Sequence, residues 1–156
     1  MNSPSQEVTI PQIAEIELRY LNPIEISQRF KITSSKEAEG ILRSHWSDQI
    51  GFVEEFVILL LDRANHVLGK YLVSKGGYAG TIVDAKIIFA GALKASACGI
   101  ILAHNHPSGN LRPSQQDTRL TKKLLEAGKL LDIQILDHII LSPYNSYFSF
   151  SDEGLL

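Results

Sequence analysis

The chain has 156 residues, with 15 basic and 17 acidic side chains and a net charge of −2, which suits one domain around one core and gives no bulk electrostatic footprint for nucleic acid. Its single cysteine, Cys98, rules out an intrachain disulfide and a Cys-only zinc site and fits a reducing compartment. The N-terminus MNSPSQEVTI has neither a basic n-region nor an apolar h-region, and the longest apolar run, Phe56 to Leu61, is too short to cross a bilayer, so a cytoplasmic location with no membrane partner is expected.

Residues 1–10 are polar and read as mobile. Ile16 to Tyr20 (IELRY) alternates weakly and reads as an edge strand, which a second copy can extend into a homodimer. Ser34-Ser35-Lys36-Glu37 has capping-box spacing and opens a helix with Ala38, Ile41, Leu42 and Trp46 on its buried side. Glu55 to Leu61 (EFVILLL) is a continuous apolar strand, Asp62 to Asn65 a turn, and His66 to Val73 the returning strand of a hairpin. Ser74 to Gly80 holds three glycines and reads as a loop without the Walker pattern of a phosphate cradle.

Asp84 to Lys94 has helical spacing, with Ile87, Ile88, Gly91 and Ala92 on one side. Cys98 abuts the next strand and reads as a small buried apolar residue. That strand, Gly99 to Ala103 (GIILA), suits a sheet buried on both faces. A helix from Ser114 to about Leu130 carries Leu120, Leu124, Ala127 and Leu131 on one stripe. Ile133 to Leu141 is a further strand and Tyr147 to Phe150 a short last one. Strands alternate with helices, so the expected fold is α/β, a mixed sheet sandwiched by helices.

The segment HNHPSGNLRPSQQD, residues 104–117, carries the chemistry. His104 and His106 end an apolar strand two residues apart, so both imidazoles point to the same side. Pro107 stops the ladder and Ser108-Gly109-Asn110 turns the chain. Asp117 stands in the first turn of the following helix, which can fold back beside the strand end. A His-x-His pair alone arises by chance, and Ser114-x-x-Asp117 alone is an ordinary helix cap. Their convergence points to a metal. Two imidazoles and one carboxylate leave a fourth zinc position open, as in catalytic sites, where bound water ionises near neutral pH.

The pattern His-x-His-Pro-x6-Ser-x2-Asp, filled by His104, His106, Pro107, Ser114 and Asp117, is similar to the JAMM motif of the JAB/MPN metallopeptidase-like family. The longer string HNHPSG, with LDH in the following strand, resembles its RadC branch over roughly residues 32–156. The resemblance implies the three-layer JAB/MPN architecture, related to that of the cytidine deaminases, and a domain at 32–156 preceded by an extension or edge strand at 1–31. It implies zinc bound by His104, His106 and Asp117, Glu54 as general base in a Glu-x-Phe pattern with Glu55 as the fallback, and Ser114 as hydrogen-bond donor to the oxyanion. The implied reaction is hydrolysis of a peptide or isopeptide bond in a peptide or protein substrate.

Around that core, His138 reads as a structural histidine or a partner of a metal ligand, Asn105 as a brace for the loop between the histidines, and His45 and His66 as surface residues. RadC-like proteins carry a helix-hairpin-helix region ahead of the metal domain, for which the residues before Ile32 are too few. Where they commonly read Pro-Arg-Glu, this chain has Ala85-Lys86-Ile87, so contacts of that helix do not carry over. The competing function is a DNA-repair-associated or mobile-element-associated binding module with little or no hydrolase activity. A nucleotide deaminase is excluded, because H-x-E and P-C-x-x-C are both missing.

Overall fold

Apolar strands without alternation need cover on both faces, and β1 (Glu55–Leu61) and β3 (Gly99–Asn105) obtain it as inner strands of a mixed five-stranded sheet. The computed structural model describes residues 12–156 apart from 16, 18, 78 and 79; the expected mobile segment at 1–10 lies outside them. The sheet order is β2-β1-β3-β4-β5, with β2 at Val67–Lys75, β4 at Gln134–Leu141 and β5 at Tyr147–Ser149. Only β3 and β4 run parallel; β1 pairs antiparallel with both β2 and β3, and β5 antiparallel with β4.

The two faces of the sheet hold separate halves of the core. Phe56, Ile58, Leu60, Ile100 and Leu102 pack against α2 (Ala85–Lys94) and α3 (Gln115–Leu130). Val57, Leu59, Leu61, Ile101 and Ala103 pack against α1 (Ser35–Ser44). Each such Leu or Ile contributes about 1.5–3 kcal/mol by leaving water. The result is the expected α/β/α sandwich.

Local rules set the helix starts. The Ser34 hydroxyl accepts from the Glu37 amide at 3.2 Å, but the Glu37 carboxylate reaches Thr33 rather than Ser34, bonding its amide and hydroxyl at 2.7 Å each. A buried Glu39 on α1 pairs with Lys36 and Arg43, and Arg43 donates to the carbonyls of Ser142 and Ser146, tying α1 to the β4–β5 turn. The sequence pattern gave no sign of this ion-paired acid.

Several expectations need correction. Ile87 is 40% exposed, and the buried side of α2 is Ile88, Phe89 and Ala92. Leu131 is exposed, because α3 ends at Leu130 and the chain reverses through Asp132 at φ 54°. Cys98 is only half-buried. His45 is exposed as expected, whereas His66 is half-buried and pairs with Asp62 at 3.1 Å across the β1–β2 turn.

Of the expected strand at Ile16–Tyr20, Ile16 and Leu18 lie outside the described residues, and Glu17, Arg19 and Tyr20 form no strand. Tyr20 and Asn22 instead donate side-chain bonds to the Leu68 carbonyl on β2. Among the described residues no helix is long and apolar enough to cross a membrane.

Candidate metal centre

The parallel β3–α3–β4 crossover brings the start of α3 back over the carboxyl end of β3, the end at which α/β sheets place ligands. His104, buried on the α2/α3 face, stacks on Phe56 of β1 with ring centroids 5.9 Å apart. The His106 amide still bonds the Leu141 carbonyl, so the backbone holds its line one residue past β3. A turn closed by the Gly109 amide on the His106 carbonyl then reverses the chain. Gly109 has φ 82°, a left-handed conformation that favours glycine, and a Cβ there would also push the exposed Tyr144 ring aside.

The chain re-enters helix at a capping box. The Ser114 hydroxyl accepts from the Asp117 amide at 3.0 Å, and Asp117 Oδ2 accepts from the Ser114 amide at 2.7 Å. The cap therefore sets the direction of the Asp117 carboxylate. His104 Nε2 and His106 Nε2 come within 3.0 Å of each other, His104 Nε2 lies 3.3 Å from Asp117 Oδ1, and His106 Nε2 lies 3.8 Å from Asp117 Oδ2. All three potential ligand atoms fall within 4.8 Å of one another.

The donor set fits a metal ion. The Nδ1 of His106 lies 2.5 Å from the Asn110 carbonyl, which can only accept. Nδ1 therefore carries a hydrogen, and Nε2 is the atom of this ring that faces the other imidazole and the carboxylate. Two nitrogens and a carboxylate directed at one point suit a divalent first-row ion. Burial opposes ionisation of Asp117, but the hydrogen bond and charge of His104, with the Ser114 hydroxyl and amide, outweigh it and hold the carboxyl well below its ordinary range. It stays an anion, as a ligand must.

Glu54 directly precedes β1 and lines the same cleft of about 770 Å³ as His104, His106, Ser114 and Asp117. Burial raises its carboxyl pKa, against the pull of His104 and His106 and with the push of Asp117. Glu55 faces the opposite side of the sheet, engaged by Ser47 at 2.8 Å and Lys75 at 3.2 Å. Asn105, fully buried, braces a different loop from the expected one. Its amide donates to the carbonyls of Ile50 and Val53 and its oxygen accepts from the Glu55 amide, so it fixes the segment that carries Glu54.

His138 on β4 is also fully buried, with Nε2 2.8 Å from His104 Nδ1 and Nδ1 2.6 Å from Thr121 Oγ1. Burial, then the charge of His104, pushes its pKa well below the ordinary histidine value. Of the two readings of His138, the partner of a metal ligand is the one that this contact fits. Thr121 was missed, because a threonine inside a helix carries no signal of its own in sequence. Arg112, Arg119 and Lys123 also line the cleft.

The family model of the RadC-like JAB domain matches residues 32–155. The chain is similar to a UPF0758 protein of Flavobacterium johnsoniae, 50% identical over 127 residues, covering 80% of this chain and 53% of that one. A UPF0758 protein of Porphyromonas gingivalis is 37% identical over 153 residues, covering 98% and 66%. Another, from Methanosarcina mazei, is 40% identical over 126 residues, covering 81% and 54%. The chain thus spans between about half and two thirds of the length of these curated relatives.

Proposed function

The chain belongs to the RadC-like JAB domain family, and on that premise we propose that it is a zinc-dependent hydrolase acting on a peptide or isopeptide bond. The observation that carries this reading is the convergence of His104, His106 and Asp117 within one cleft that Glu54 also lines. The three residues hold the ion; when bound, zinc supplies a water of lowered pKa and a Lewis acid for the carbonyl.

The chain's own residues do the rest. Glu54 takes the proton of the attacking water and passes it to the leaving nitrogen, a task suited to a carboxylate that lines the same cleft as the three ligands. The Ser114 oxygen accepts from the Asp117 amide, which leaves the hydroxyl proton free to donate to the developing oxyanion. Phe56 and Leu120 line the cleft and limit water around the scissile bond.

Elemental analysis tests the metal: about one zinc per chain is expected in the wild type, and loss of it in His104→Ala/His106→Ala. Wild type that stays metal-free in added zinc overturns the reading. With zinc in place, hydrolysis of a panel of peptide and isopeptide substrates, abolished by Glu54→Gln, tests the activity. The second reading is a binding module for nucleic acid or a protein partner, favoured by the basic side chains of Arg112, Arg119 and Lys123 along the cleft. Zinc without hydrolysis, together with salt-dependent DNA binding, would put it ahead.

A further inference from the structure

A buried line of hydrogen bonds runs behind the metal centre and returns to it. His104 Nδ1 meets His138 Nε2 at 2.8 Å, His138 Nδ1 meets Thr121 Oγ1 at 2.6 Å, and Thr121 Oγ1 meets the Asp117 backbone carbonyl at 2.7 Å. It starts on the ring of one candidate ligand and ends on the backbone of another. The His138 ring is held between Phe150, stacked at 4.7 Å, and Phe56, tilted at 5.6 Å, and it is fully buried.

The far end of the line fixes the direction of every proton in it. A backbone carbonyl can only accept, so the Thr121 hydroxyl donates to Asp117. With its one proton committed, Thr121 Oγ1 accepts from His138, and His138 Nδ1 carries a hydrogen. His138 Nε2 then has a lone pair and accepts from His104 Nδ1. Of the two neutral forms of His104, the line therefore selects Nδ1–H, the form whose Nε2 is the atom facing His106 and Asp117. The reverse direction would set the Thr121 oxygen against the Asp117 carbonyl, lone pair to lone pair, at 2.7 Å. It would also place a proton on His104 Nε2, where a cation is to bind. A neutral histidine can carry its hydrogen on either nitrogen, so the hydrogen bonds of the protein select the form.

We propose that His138 and Thr121 are positioning residues that lock His104 in the Nδ1–H tautomer, with its Nε2 lone pair directed at the metal position. Outer hydrogen-bond partners of this kind orient a ligand ring and raise its basicity. The Asn110 carbonyl does the same for His106. The proposal rests on the zinc reading above for its purpose, but not for its observable, because the tautomers exist in the metal-free chain.

The test therefore has two arms on the full chain. In the metal-free protein with ¹⁵N-labelled histidine, long-range ¹H–¹⁵N correlation is expected to show both His104 and His138 as Nδ1–H tautomers. An Nε2–H signature at His104 overturns the proposal whatever zinc does. In the second arm, zinc affinity is measured by competition with a chelator. Thr121→Val, which removes the hydroxyl that accepts from His138, and His138→Ala are expected to weaken zinc about 10- to 100-fold, the range for outer-sphere partners. Thr121→Ser, which keeps the hydroxyl, is expected to bind like wild type. Equal affinity in Thr121→Val and Thr121→Ser overturns the proposal. If wild type binds no zinc, the zinc reading fails, and the tautomer arm still decides the direction of the bonds.

Discussion

For Glu54, the proposed general base, burial carries a structural cost. Its ordinary carboxyl value is 4.5, and burial raises it in the fold. Ionised Glu54 therefore destabilises the metal-free protein at every pH above the raised value, and has no such effect well below 4.5. Glu54→Gln is expected to raise the thermal midpoint of the metal-free protein at neutral pH, with the gain vanishing in acid. Hydrolysis should fall by about 10²- to 10⁴-fold in the same variant, as for loss of a general base. A midpoint that drops in Glu54→Gln at neutral pH would contradict the burial argument. Asn105→Ala strands the Ile50 and Val53 carbonyls and the Glu55 amide; a loss of about 1–3 kcal/mol in a denaturant melt is expected. The sequence showed Glu54 only through its resemblance to a family pattern, because one carboxylate ahead of a strand looks like any solvated strand start.

Helix α3 shows where local rules stop. Intrinsic propensity says Gly128→Ala in this helix should stabilise by about 1 kcal/mol. A Cβ at Gly128 would lie 2.3 Å from the Ile133 carbonyl oxygen, and Ile133 in turn donates its amide to Gly128. Backbone cannot yield as a side-chain tip can, so Gly128→Ala is expected to lower the thermal midpoint. An increase would show that the α3–β4 turn is free to open. The same contrast explains which elements the sequence revealed. β1 and β3 were legible because strands covered on both faces carry unbroken apolar runs. The start of α1 was legible because a serine cap acts within one turn. Leu131 was misplaced because the helix stops one residue before it, and Ile87 because periodicity finds an apolar side of a helix while which residues of it meet the sheet depends on how the helix lies against its neighbours. For α2 that placement is set partly by Gly91, where a Cβ would come within 3.0 Å of the Tyr71 ring on β2.

At the scale of the whole molecule, the net charge of −2 conceals a local asymmetry. Arg112, Arg119 and Lys123 line the cleft, and among the described residues none of them forms an ion pair. An acidic peptide is therefore expected to bind better than a basic one of equal length, and more weakly as salt screens the contact. Arg119→Glu/Lys123→Glu should reverse that preference in a fluorescence-anisotropy titration; a preference unchanged in the double variant would remove these residues from recognition. By itself the sequence pointed to the candidate trio His104, His106 and Asp117, the serine cap at the start of α3, and the alternation of strands and helices. All of these are set by spacings of a few residues, over which backbone geometry is nearly fixed. Only the tertiary structure decided that Glu54 rather than Glu55 faces the cleft, that Asn105 braces the segment before β1, and that His138 and Thr121 stand behind His104. Those relations join residues up to 55 positions apart, and they depend on strand register and helix placement, which no local pattern encodes.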